Sequence, residues 1–288
     1  MKINKNKYIL GTANLWTRYG FKSIFVNEKQ SISLLKYSQK NNVKILDISS
    51  SYPSFKYIIK EANLKKFKIS FKVSSADFKK KNFYNNFESF FYNLLKKLNV
   101  AKIEYFLFHN AKDILSDKNK KVLKHLKNLK KNKKIRYLGV SVYSNNDLLK
   151  ILKKNIKIDV VQIPFNILDQ RINQKKLLNF IKLKKIKIHV RSIFLQGILI
   201  DKKIIPKKFK KFKELSNWHN FLQSNKLNSL TEIINFLNNF RFINKIVIGV
   251  KNKDQLKQIL NTKIYKNKKN FDKFKSNNLK LIDPRKWN

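Results

Sequence analysis

Short apolar runs alternate along the chain with longer stretches whose apolar residues recur at three- and four-residue steps. The short runs are Tyr8 to Leu10, Val43 to Leu46, Phe67 to Val73, Ile103 to Phe108, Ile135 to Val142, Ile158 to Ile163, Ile186 to Ser192 and Lys245 to Ile248. Their length and near-continuous hydrophobicity suit strands buried on both faces. Between them the period becomes helical: Phe83, Phe87, Phe90, Phe91, Leu94, Leu95 and Leu98 mark one buried face. Ser229 with Glu232, ahead of Ile233, Ile234 and Leu237, forms a capping-box pattern, and Ser144 with Asp147 suggests a similar helix start. Eight strands with intervening helices predict an α/β fold closed into a (β/α)8 TIM barrel, where six would favour an open sheet.

The 288 residues fit one such barrel, so a single domain is expected over 1–288. No linker or repeat breaks it. Residues 201–228, basic and irregular around Pro206, read as an insertion of loop and helix after the seventh strand. The tail from Tyr265 is rich in Lys and Asn, and its Leu281, Ile282 and Trp287 are expected to pack back on the body.

Charge changes this picture little. A net charge of +49 and a pI near 10.3 ordinarily point to nucleic acid. Here Lys supplies 60 of the 66 basic residues and is spread from end to end, and Asn, Ile and Phe are also abundant, as A and T bias in a coding sequence would produce. Arg, the preferred reader of phosphate and guanine, is nearly absent. No specific nucleic-acid partner is expected, only salt-sensitive nonspecific binding. With no cysteine and four scattered histidines, neither a disulfide framework nor a metal site is expected. No run approaches 18 apolar residues and the N-terminal segment lacks a signal-peptide core, so the expected location is the cytoplasm, with no membrane contact. The five glycines, at 11, 20, 139, 197 and 249, are too dispersed for a Rossmann turn or a P-loop.

Four residues carry the candidate chemistry. Asp47, Tyr52, Lys72 and His109 each follow the apolar part of a strand-like run, and in a parallel barrel such ends converge on one face. Taken singly, Asp47 also suits a helix cap before Ser49 and Ser50, Tyr52 a rim aromatic, and Lys72 a chance lysine in a lysine-rich chain. Together they are complementary. A phenol whose ordinary pKa is near 10 gives up its proton more easily beside an ammonium. A carboxylate orients that ammonium, and an imidazole can hydrogen-bond a carbonyl oxygen from the other side. His189, inside the apolar segment Ile186 to Val190, reads instead as a satisfied core residue.

These residues and their spacing resemble the aldo-keto reductase family. LDISSSY (46–52) is similar to the family segment that holds Asp and Tyr five apart; ISFKV (69–73) supplies the Lys and EYFLFHN (104–110) the His. NKKIRYLGVSVYS (132–144), VVQIPFNILDQR (160–171), VRSIFLQGILI (190–200) and IVIGVKNKDQL (246–256) match later segments in order, and the likeness covers roughly residues 7–261.

The resemblance implies reduction of an aldehyde or ketone with NAD(P)H at the barrel mouth, on a small-molecule carbonyl substrate. Tyr52 would be the general acid, Lys72 would ease its proton loss, Asp47 would hold Lys72, and His109 would orient the carbonyl. Ser141 and Gln162 match positions that bind the nicotinamide carboxamide; Asn166 either joins them or braces the loop after the sixth strand. Arg191 stands where many members stack an aromatic on the nicotinamide. Gly249 and Gln255 replace a Lys and an Arg of NADPH-dependent members, and nearby Lys251 and Lys253 either hold a 2′-phosphate or belong to the lysine-rich surface. NADP(H) is therefore expected to be modestly favoured, with NAD(H) possible. Trp16 and Tyr19, after the first strand, are candidates for the substrate pocket. The alternative is a cofactor-binding sensor or partner subunit on the same barrel, with little turnover.

Overall fold

A computed structural model describes residues 3–18, 20, 24–79, 83–265 and 269–287. Its eight strands are β1 (Tyr8–Gly11), β2 (Ile45–Ser49), β3 (Lys68–Val73), β4 (Ile103–Phe108), β5 (Ile135–Ser141), β6 (Val160–Pro164), β7 (Lys187–Arg191) and β8 (Ile243–Gly249). Each pairs in parallel with its neighbours in chain order, and β8 closes on β1. The expected barrel is present. Parallel strands need long crossovers, which the chain supplies with α1 (Glu28–Lys40), α2 (Phe55–Glu61), α3 (Phe87–Leu98), α4 (Ala111–Leu115), α5 (Lys120–Lys131), α6 (Asn145–Lys153), α7 (Lys175–Leu183), α8 (Lys213–Ser224), α9 (Ser229–Asn238) and α10 (Lys253–Leu260).

Alternation along the strands divides the apolar residues into two bodies. Ile9, Ile45, Tyr105, Leu107, Val160 and Val247 fill the barrel interior, and a larger shell lies between the strands and the helices. In that shell Phe87, Phe91, Leu94, Leu95 and Leu98 bury the predicted face of α3, although the helix begins after Phe83. One close approach needs a glycine: a Cβ at Gly139 would collide with the Val160 carbonyl oxygen and stand 2.8 Å from a Leu107 methyl.

Several boundaries differ from expectation for identifiable reasons. β2 starts at Ile45 and runs on through Asp47 to Ser49, because the polar side chains that end the apolar run bond one another inside the barrel. The helix predicted at Ser229 is capped one residue earlier, with Asn228 Oδ1 accepting from Thr231 N at 3.0 Å. Glu232 is not its capping partner; it pairs with Lys269 at 2.9 Å and with the Tyr265 hydroxyl, tying the tail to α9. Ser144 does cap α6, accepting from Asp147 N at 3.1 Å. The 201–228 segment contains α8, and the tail buries Phe271, Phe274, Leu281, Ile282 and Trp287.

His189 corrects the expectation of a satisfied core residue. It is fully buried with Tyr105 edge-on at 4.6 Å, yet neither ring nitrogen has a hydrogen-bond partner. Among the described residues no helix is long and apolar enough to cross a membrane, and no group of three metal-binding side chains converges.

Candidate active site

β2 and β3 build the centre of the site. Pairing aligns Asp47 with Ser70 and Ser49 with Lys72, so inward-facing polar residues alternate with outward-facing apolar ones on both strands. Lys72 Nζ lies 2.6 Å from Asp47 Oδ2, and both side chains are only 3% exposed. Ser70 Oγ donates to Asp47 Oδ1 at 3.2 Å. Gln162 on β6 completes the network, its Nε2 donating to Asp47 Oδ1 at 3.1 Å and its Oε1 accepting from Lys72 Nζ at 3.2 Å. Only this orientation of the amide sets donor against carboxylate and acceptor against ammonium. Burial alone would depress the Lys72 pKa, but Asp47 and Tyr52, by charge and hydrogen bond, more than offset it, and the ammonium is held above the usual lysine value.

Tyr52 and His109 flank this ammonium. Tyr52 follows β2 in a turn whose N–H donates to Ser49 O at 3.1 Å, and Lys72 Nζ lies 5.1 Å from the centre of its ring. His109 follows β4, anchored by its own N–H to Val73 O at 3.0 Å. The two rings meet edge to face, 5.9 Å apart at 86°. Burial first, and then the Lys72 charge, lower the His109 pKa to about 4, so the imidazole is neutral at ordinary pH. All four predicted residues thus meet in one cleft of about 990 Å³. Asp47 and Lys72 lie within strands and not beyond their ends.

The other predicted positions divide. Ser141, Gln162, Arg191, Gly249, Lys251 and Gln255 all line the cleft. Gln162, however, has both ends of its amide engaged with Asp47 and Lys72, which makes it part of the ammonium's support. Arg191 Nε donates to Ser141 Oγ at 3.3 Å and Nη2 to Val142 O at 3.1 Å, and its guanidinium stacks on Tyr143 at 4.1 Å. Arg285 stacks on the same ring at 3.4 Å. Tyr143 thus carries two guanidiniums against its ring.

Gln255 Oε1 accepts from Lys251 N at 2.8 Å while Asn252 caps α10, which fixes the loop beyond β8. Lys253 is exposed and does not line the cleft. Asn166 is a brace: Oδ1 accepts from Leu168 N and Asp169 N at 2.9 Å, and Nδ2 donates to Ser192 O at 3.0 Å. Trp16 departs from expectation. It is 5% exposed, stacks on Tyr57 at 6.1 Å, and packs in the core on a left-handed backbone (φ 51°). Tyr19 lies outside the described residues.

Sequence reasoning passed over Ser49, Ser51 and Ser70, which touch His109 or Asp47, and the Tyr143–Arg285 pair. For Ser49 a signal existed. It stands two residues from Asp47 on a strand and therefore shares its face. Nothing local announces Arg285, 142 residues beyond the ring it covers.

The family model for the aldo/keto reductase family matches residues 7–277. Glyoxal reductase of Bacillus subtilis is 26% identical over 183 residues, which cover 62% of this chain and 63% of that protein, so the match spans less than two thirds of the relative. Among solved structures, an aldo-keto reductase from Bacillus halodurans in its holo form superposes with a TM-score of 0.69 at 16% identity, over 89% of this chain and 86% of its own. A glycerol dehydrogenase from Gluconobacter oxydans gives 0.66 at 16% identity, over 96% and 92%. The structural likenesses establish the barrel, and the family match joins it to the buried ion pair and its two flanking rings: the chain belongs to the aldo/keto reductase family.

Proposed function

We propose that this protein reduces an aldehyde or ketone to an alcohol with NADPH or NADH, in a cytoplasmic setting. One observation supports the reading most: a buried ammonium, fixed by a carboxylate and an amide, faces a phenol at the mouth of a cleft large enough for a cofactor and a small substrate.

The cleft's donors fit a dinucleotide. Ser141 and Arg191 stand near the ion pair, whereas Lys251, Gln255 and the start of α10 stand on the β8 side, offering amides and positive charge to phosphate. Gly11 and Gly249, paired across β1 and β8, both line the cleft, and Asn14 packs close against Gly249. A nicotinamide held there would supply hydride to the carbonyl carbon.

The chain's own groups manage the proton. Tyr52 donates it to the oxygen as negative charge develops, and Lys72 stabilises the phenolate left behind. Asp47 and Gln162 keep Lys72 charged and aimed. His109, neutral, orients the substrate from the opposite side. Lys251 is the candidate contact for a 2′-phosphate, which makes a modest preference for NADPH part of this reading.

The test is a panel of aldehydes and ketones with loss of reduced-cofactor absorbance as readout. Turnover of at least one carbonyl, abolished by Tyr52→Phe, is expected. Binding of cofactor with no turnover across the panel would leave only a sensor.

A further inference from the structure

Half of the six arginines in this chain meet at one tyrosine. Arg171 Nη2 donates to the Tyr143 carbonyl oxygen at 3.1 Å, while Arg191 and Arg285 lie against the Tyr143 ring at 4.1 and 3.4 Å. Arg171 and Arg285 each have a carboxylate of their own, Asp169 at 2.7 Å and Asp283 at 2.6 Å. Arg191 has none. Among the described residues no carboxylate pairs with it, and the nearby Asp169 is engaged by Arg171. Its guanidinium is also fixed. Nε donates to Ser141 Oγ at 3.3 Å, Nη1 to Ser192 Oγ at 3.2 Å and Nη2 to Val142 O at 3.1 Å, so with Tyr143 against it the cation has little room to swing away.

This fixed cation stands at the reacting end of the cleft, whose lining it shares with Tyr52, Lys72, His109 and Ser141. Burial first, then the Lys72 charge and after it that of Arg191 lower the His109 pKa, so the field of Arg191 reaches the imidazole. Asp47, at 2.6 Å, offsets the charge of Lys72. Nothing so close offsets that of Arg191. A nicotinamide that passes hydride to a carbonyl bonded to Tyr52 has to lie at this same end. When the hydride leaves for the carbonyl carbon with its two electrons, the ring changes from neutral to positive, while the phosphates stay as they were. Arg191 therefore repels the oxidised ring alone.

Given carbonyl reduction at Tyr52, we infer that Arg191 discriminates between the oxidation states of the cofactor: it makes the cleft hold the reduced form more tightly than the oxidised one. The same charge opposes departure of the hydride and favours release of the spent cofactor. Its benefit thus lies in release and in resistance to inhibition by the oxidised form. Alcohol oxidation, which must begin with that form, is hindered.

Isothermal titration of NADPH and of NADP⁺ into wild type, Arg191→Gln and Arg191→Lys tests this without any turnover. Like charges a few ångströms apart in a partly buried site repel strongly, so wild type should bind NADPH at least about ten-fold more tightly than NADP⁺. Arg191→Gln removes the charge and should bring that ratio towards one. Arg191→Lys keeps the charge and should keep most of the ratio. A purely structural role would weaken both forms together and leave the ratio unmoved. Equal affinities in wild type, a ratio that Arg191→Gln does not change, or one that Arg191→Lys lowers just as far overturns the inference. Binding of neither form defeats the reading of function and this inference with it, whereas equal binding of both defeats this inference alone.

Discussion

Lys72 and Asp47 face each other at 2.6 Å from adjacent strands, and Gln162 reaches both from across the barrel. Removing one partner of such a buried pair leaves the other charge unpaired, at a cost of roughly 3–5 kcal/mol. Lys72→Met should therefore lower stability as well as abolish reduction, and Asp47→Asn should do less, since an amide still accepts from the ammonium. Urea unfolding of Lys72→Met, Asp47→Asn and the double variant checks this. A double variant less stable than Lys72→Met alone would contradict it, because the pair is sealed together.

Tyr52→Phe removes the transferable proton and leaves the ion pair in place. General acid catalysis contributes about 10²- to 10⁴-fold, so the rate should fall by at least that much while cofactor affinity hardly changes. Single-turnover kinetics and a fluorescence titration separate the two quantities. More than a tenth of the wild-type rate surviving would remove Tyr52 from the role of acid.

His189 makes acid stability measurable at one residue. Burial, aided by Lys245 and Lys187, holds its pKa at about 3, below the ordinary 6.5. The unfolded chain takes up the proton as pH falls below that ordinary value, and the native protein does not. Stability is thus whole above pH 6.5 and declines as pH descends to about 3, by an amount on the order of 3–5 kcal/mol for a fully buried imidazole. His109 declines in the same direction, to about 4. His189→Leu removes one share of that loss and two unpartnered nitrogens, whose burial costs about 1–3 kcal/mol. Thermal melts should show a higher Tm for the variant at neutral pH and a widening gap over wild type in acid. A lower Tm would mean that the edge contact with Tyr105 outweighs the orphaned nitrogens.

Lys251 lines the cleft and Lys253 does not, so the two lysines are no longer equivalent candidates for a 2′-phosphate. Lys251→Ala should weaken NADPH about ten-fold, equivalent to roughly 1.4 kcal/mol, and leave NADH unchanged. Lys253→Ala should move neither. Isothermal titration of both cofactors distinguishes this from a general loss of surface charge, which would weaken the two variants alike and disappear in salt.

The barrel was legible because its evidence is repeated: eight apolar runs separated by helical periods leave little choice of architecture. The four central residues were legible because each sits at or near the end of such a run. What stayed hidden depended on contacts between distant segments. Gln162 is engaged by Lys72 and Asp47, a pairing no local pattern displays, and Trp16 turns inward on a left-handed backbone that the sequence does not mark. Glu232 looked like a cap because its real partners, Lys269 and Tyr265, come from a tail more than 30 residues away.

The seam where β8 meets β1 passes through the floor of the cleft. Gly11 pairs with Gly249 there, and Asn14 Nδ2 reaches Val250 O at 3.4 Å. These partners are separated by most of the polypeptide, so their meeting closes the longest loop between paired strands and carries the largest loop-closure entropy. A substitution that weakens this seam should therefore disturb the floor of the cleft while leaving the other seven strand pairings in place.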